Sequence, residues 1–133
     1  MLADCSPADI RALGDELVER SEPASVRAGV SRLYYANHLH AVETIVPKYS
    51  IQLQGRGDDH GAIIAWLKKR GGRMKLWGEL LSKLRTYREH ADYHVNGSHK
   101  GNECPICMGK IKVETVTAVK EEAKRCFDAL GSL

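Results

Sequence analysis

Between residues 23 and 46 the chain places apolar or aromatic side chains around much of one helical circumference: Val26, Val30, Leu33, Tyr34, Tyr35, Leu39, Val42 and Ile45. A helix half in water shows a single apolar stripe. One apolar over so much of its surface belongs at the centre of a bundle or in a dimer interface. Ser21-Glu22-Pro23 supplies a cap and a first-turn proline for it, and Pro47 is expected to end it. A spine of this kind demands other helices to cover it.

The covering helices are legible in the rest of the chain. Ser6-Pro7-Ala8-Asp9 combines an N-cap, a first-turn proline and an acidic third position, and Ile10, Leu13, Leu17 and Val18 continue at helical spacing to about Arg20. After a loop to Gly57, Asp58-Asp59 can cap a third helix with Ile63, Ile64, Trp66 and Leu67, closed by Lys68-Lys69-Arg70 against the helix dipole. Gly71-Gly72 breaks the chain, and a fourth helix with Leu76, Trp77, Leu80, Leu81, Leu84 and Tyr87 runs into the segment Arg88 to His94. Residues 95 to 112 read as a Gly-, Ser-, Asn- and Lys-rich loop. A last helix over about 113 to 130 buries Val116, Val119, Ala123, Phe127 and Leu130 and stops at Gly131. No stretch alternates like a strand. The expectation is one all-α domain spanning residues 1 to 133, a four- to five-helix antiparallel bundle.

A chain of 133 residues can build one core without needing a metal or disulfides. The net charge of +3 is compatible with an anionic partner without demanding one. No apolar run approaches the ~20 residues of a membrane span, and Met1 to Cys5 lacks the basic and apolar regions of a signal peptide. The expectation is a cytoplasmic protein with no membrane partner, whose four cysteines are thiols or metal ligands rather than disulfides.

Two runs carry the chemistry: Ser31-Arg32-Leu33-Tyr34-Tyr35-Ala36-Asn37-His38-Leu39-His40, and Arg88-Glu89-His90-Ala91-Asp92-Tyr93-His94. An arginine and histidines in one short segment are the residue types that bind and cleave a phosphodiester, a reaction that needs a base for a proton and a cation for the developing charge. Histidine, with an ordinary pKa near ~6.5, suits the proton transfer, and arginine suits the phosphate. At ~100° per residue, positions 88 and 94 lie about 120° apart on a regular helix. Pairing them therefore needs a long reach by the arginine, a distortion near Asp92, or a meeting across a dimer. Arg88 and Asp92, at i and i+4, can instead form a surface ion pair worth a few tenths of a kcal/mol. His38 and His40, about 200° apart, cannot both face the core.

Together the two runs resemble the HEPN family, helical domains of which many members are RNases. One prokaryotic branch carries a run similar to S-R-x-Y-Y-A-x-x-H-A, here Ser31, Arg32, Tyr34, Tyr35, Ala36 and His40-Ala41, with a slight shift at Leu39-His40. The same branch has a histidine opening the next helix, matched by His60, and an R-x-x-A-D-Y run, matched by Arg88, Ala91, Asp92 and Tyr93. Catalytic members place four to six residues between an arginine and a histidine. Arg88 to His94 fits, and Arg85 to His90 fits in a second register.

The resemblance implies a HEPN-like endoribonuclease that cleaves single-stranded RNA without a metal and leaves 2′,3′-cyclic phosphate ends. It further implies a homodimer, of the kind used in toxin–antitoxin pairs or defence, with a cognate antitoxin or regulatory protein. Under it Arg88 clamps phosphate, His94 moves the proton, and His90, Arg85 and Tyr93 bind substrate, while Tyr34, Tyr35 and Asp92 form the structural motif. Glu89 stands where active members often have Asn, Asp or His, and a carboxylate there repels phosphate unless it points away. The alternative within the family is a non-catalytic module that binds RNA, a nucleotide or a partner protein.

Cys104-Pro105-Ile106-Cys107 opens a third reading, a zinc-stabilised helical interaction protein. A CxxC turn supplies two thiolates. His90 and His94, four residues apart, can complete the set, with His99, Cys5 and Cys126 as other ligands. A zinc-bound His94 cannot also serve as a free base. Lys68, Lys69, Arg70, Arg73 and Lys75 read either as a solvated helix end or as a phosphate-binding rim.

Overall fold

A computed structural model of the protein describes residues 5–55, 59–93 and 113–132. His94, His99, Cys104 and Cys107 lie outside the described residues, as do the sequence expectations that fall on them. The described residues hold five α-helices and no strand: α1 (Pro7–Val18), α2 (Pro23–Tyr49), α3 (Asp59–Arg70), α4 (Gly72–Tyr93) and α5 (Val113–Gly131). None of these helices is long and apolar enough to cross a membrane.

The start of α1 follows from its first residues. The Asp9 amide donates to Ser6 Oγ at 3.2 Å, and Asp9 Oδ2 accepts from the Ser6 amide at 2.9 Å, a reciprocal capping box. The expected end of α2 needs correction. Pro47 does not stop the helix, which continues to Tyr49 and closes at Ser50 with φ of 51°. A proline in the last turn forfeits one backbone bond, and the packing beyond it offsets that loss: Tyr49 lies 4.8 Å from the Trp66 ring of α3.

Side-chain pairs show how the helices run. Gly14 meets Leu33 and Val18 meets Gly29, so α1 and α2 are antiparallel. Arg27 reaches Ala91 and Tyr35 reaches Arg88, so α2 and α4 are antiparallel as well. Leu67 lies against Gly78 and Gly61 near Arg85, which makes α3 and α4 a third antiparallel pair. The expected antiparallel bundle is nonetheless only part of the arrangement. Tyr34 pairs with His60 and Tyr49 with Trp66, and Asn37 pairs with Ala123 and His40 with Phe127. Both α3 and α5 therefore run parallel to α2. The α2–α3 connection must double back along the bundle, and it does so with Ile51 and Leu53 packed on the core and with the Gln54 and Gly55 amides donating to Asp59.

The core gathers Leu33, Tyr34, Ala36 and Ile45 of α2 with Ile63 and Leu67 of α3, Leu81 and Leu84 of α4, and Val119, Ala123 and Leu130 of α5, all at most 1% exposed. Leu13, Leu39 and Leu76, expected among the buried apolar positions, are instead 45%, 38% and 46% exposed. The α1–α2 contact is the closest in the bundle that a glycine controls. A Cβ on Gly29 would sit 2.6 Å from Val18 Cγ1 and 2.8 Å from the Val18 backbone nitrogen.

Candidate functional site

The side of α2 turned toward α3 and α4 is polar and ringed. Tyr34 is fully buried, and its hydroxyl lies 2.5 Å from His60 Nδ1 in the first turn of α3. His38, one turn along α2, stacks on His60 with ring centroids 3.8 Å apart. Tyr35 meets the same imidazole edge-on at 5.8 Å. These contacts exist because α3 runs alongside α2, so the histidine that opens α3 enters at the height of Tyr34.

From α4, Arg88 joins the cluster. Its Nη2 donates to the Tyr35 hydroxyl at 2.6 Å, its guanidinium lies 5.1 Å from the Tyr35 ring centre, and its Nε lies 3.0 Å from Asp92 Oδ2. The same carboxylate oxygen accepts from Ser31 Oγ at 3.1 Å. One turn earlier, Arg85 pairs with Glu89 at 3.7 Å and reaches over Gly61 in α3. The Glu89 carboxylate is thus drawn toward Arg85. At the C-terminal end of α4 the buried Arg27 donates to the His90 and Ala91 carbonyls at 3.2 and 3.1 Å, which compensates two of the last acceptors of that helix.

The titrating groups respond to this setting. Burial pushes the Tyr34 hydroxyl up, against the pull of Arg85 and Arg88, so it keeps its proton. The Tyr34 hydroxyl and His60 Nδ1 share one hydrogen bond, whose direction follows the tautomer of the imidazole. Burial also holds His60 below the ordinary histidine range, helped by Arg85 and Arg88 and opposed by Asp59. His38 falls to about 4, chiefly through burial and then through His60 and Arg85, with Asp59 acting the other way. The cluster therefore sets two uncharged imidazoles beside two guanidiniums at neutral pH, and each guanidinium already faces a carboxylate, Arg88 that of Asp92 and Arg85 that of Glu89.

Of the residues singled out in the sequence, Tyr34, Tyr35, Arg85, Arg88 and Asp92 come together here. His90 contributes its backbone carbonyl to Arg27. Tyr93 ends α4, and its side chain is outside the described set, as is His94. His40 faces away from the cluster and stacks on Phe127 of α5 at 4.1 Å, so the two α2 histidines do serve different neighbours. Cys126 is fully buried in the core, and burial pushes its thiol up to about 12. Among the described residues no group of three His, Cys, Asp or Glu is arranged to hold a metal ion.

Arg27, His38 and Asp59 were not singled out by sequence as partners of this site. The signal for Arg27, a cation among the apolar residues of α2, is one that Arg32 shares. Nothing local announces the His38–His60 stack, which depends on where α3 docks. The chain matches no protein-family model, no curated protein and no solved structure.

Proposed function

We propose that this chain is a HEPN-like, metal-independent endoribonuclease acting on single-stranded RNA, working as a cytoplasmic homodimer in a toxin-type or defence role. One observation carries the reading. Three sequence runs that bear the resemblance lie far apart in the chain and meet in space: Ser31 and Tyr35 touch Asp92 and Arg88, and Tyr34 touches His60.

In this reading Arg88, oriented by Tyr35 and Asp92, receives a phosphate of the RNA. Arg85 adds a second positive charge one turn away, and the resemblance assigns His90 and Tyr93 to substrate binding. His94, directly beyond α4, takes the proton of the 2′-hydroxyl or returns one to the leaving 5′-oxygen. The bond from phosphorus to the 5′-oxygen breaks as the bond to the 2′-oxygen forms. The products then carry a 2′,3′-cyclic phosphate and a 5′-hydroxyl.

A second reading, a non-catalytic module of the same family, is favoured by the carboxylate of Asp92 already answering Arg88 at 3.0 Å. A zinc ion on Cys104 and Cys107 is the competing use of His94, because a ligated imidazole has no lone pair for a proton. The test is incubation of single-stranded RNA with the protein in EDTA, beside His94→Ala, with product ends identified by mass. The ribonuclease reading expects cyclic phosphate ends from wild type and at least about a hundredfold less cutting by the variant. RNA binding with no cutting moves the assignment to the non-catalytic module. Stoichiometric zinc whose removal collapses the fold moves it to the zinc-stabilised protein.

A further inference from the structure

The turn between α3 and α4 gathers Lys68, Lys69, Arg70, Arg73 and Lys75, and no acidic residue occurs from His60 to Gly78. These five charges exceed the chain's entire net charge of +3, so the rest of the chain is net negative. All five side chains are exposed. Elsewhere on the surface, cations are commonly matched: Arg11 with Asp15 and Asp128, Arg20 with Glu16, Lys83 with Glu122, and Lys120 with Glu19. At this corner Lys68, Lys69, Arg73 and Lys75 take part in no ion pair among the described residues.

Helix stability explains only part of the cluster. Lys68, Lys69 and Arg70 occupy the last turn of α3, where positive charge is favoured. Arg73 and Lys75 occupy the first turns of α4, where the dipole already presents a positive end and cations are disfavoured. The two groups share one surface because Gly78 packs directly on Leu67 and Lys68, at 3.0 and 3.1 Å from where its Cβ would stand. Arg70 is also held in place. Its guanidinium lies 4.7 Å from the Tyr49 ring centre and 4.8 Å from that of Trp66. Both rings pack against the core and carry Arg70, so what the corner offers a polyanion is its exposed charge.

We propose that this corner is a docking surface for the phosphate backbone of single-stranded RNA, separate from the Arg88 cluster. The choice of RNA over other polyanions rests on the proposed ribonuclease reading. From Arg73 to Arg88 the rise along α4 is roughly 22 Å. A strand of several nucleotides can therefore be anchored at the corner while another of its phosphates lies at Arg88. Occupancy of the corner would govern how tightly long RNA binds and have little influence on the bond-breaking step.

The test measures binding of a fluorescent oligouridylate to the full chain over a series of salt concentrations. It compares wild type with Lys68→Gln/Lys69→Gln/Arg73→Gln/Lys75→Gln, all at exposed positions, and leaves the stacked Arg70 untouched. Each lost phosphate contact removes about 0.7 from the slope of log affinity against log salt. The quadruple variant should lose up to about 3 in slope and weaken about tenfold or more at low salt. Lys124→Gln/Arg125→Gln, which removes exposed cations of α5, should leave the slope as in wild type.

A wild type that binds with the expected slope yet never cuts would sink the ribonuclease reading and leave the corner standing. An unchanged slope in a quadruple variant that remains helical by circular dichroism overturns the corner. So does a loss confined to phosphatidylserine vesicles with RNA binding intact.

Discussion

The two flanks of α2 solve different problems. Toward α1 the contact is built from absence. Gly14 and Gly29 let the two backbones approach until Val18 and Leu33 fill the seam. Toward α3 and α4 an apolar core is joined by polar atoms: a buried tyrosine hydroxyl, two stacked imidazoles, and an arginine shared by Tyr35 and Asp92. Burying polar groups costs desolvation that an apolar seam avoids, and well-packed hydrophobic replacements of buried ionic groups are often neutral or stabilising. The first flank adds close backbone packing to the apolar core that α2 shares with α3, α4 and α5. The second is where residues are positioned for chemistry.

The sharpest way to break the apolar flank is Gly29→Ala. The new Cβ would meet the Val18 backbone, which cannot rotate away as a side chain could, and the expected loss is about 3 kcal/mol in urea unfolding. A stability within ~0.5 kcal/mol of wild type would show that the seam is looser than described.

Acid should weaken the polar flank next. His38 keeps a folded pKa of about 4, against an ordinary value near ~6.5 in the unfolded chain, and His60 is lowered in the same direction. As pH falls below ~6.5 the unfolded chain takes up protons that the folded chain refuses. The stabilisation is fully present above ~6.5 and is lost progressively down to about 4. The full loss from His38 is of order 3 kcal/mol. Urea midpoints measured across this window should fall steeply in wild type and distinctly less in His38→Phe. Equal slopes would remove His38 from the account.

A smaller effect separates the two flanks further. Tyr34→Phe deletes only the hydroxyl bonded to His60 and should cost about 1 kcal/mol. It should also release the His60 tautomer, visible as altered imidazole nitrogen shifts in NMR. No change in those shifts would mean that Tyr34 serves only as packing.

How far the sequence reached follows the same division. The α1 start was legible because a cap is a local device: Ser6, Pro7 and Asp9 are neighbours, and their hydrogen bonds close within one turn. The identity of α2 as the spine was legible from its composition. Its end was not, because Pro47 is judged locally whereas Tyr49 is held by Trp66 and Arg70 from another helix. Among the site residues, Arg88 with Asp92 followed from helical spacing. Ser31 with Asp92 and Tyr35 with Arg88 were brought into view as shared motif runs, without their contacts. The His38–His60 stack and the Arg27 cap on α4 depend on how separate helices dock, which no periodicity encodes.

The measurement that bears most directly on this division is single-stranded RNA cleavage by Arg88→Ala in EDTA, with urea unfolding of the same preparation. Arg88 lies on the polar flank, and Arg88→Ala removes both its pair with Asp92 and its hydrogen bond to Tyr35, a loss of about 1–3 kcal/mol. Cleavage reduced about a hundredfold or more under conditions where the variant is still folded is the predicted result. Cleavage equal to wild type, or lost only in proportion to unfolded protein, would contradict it.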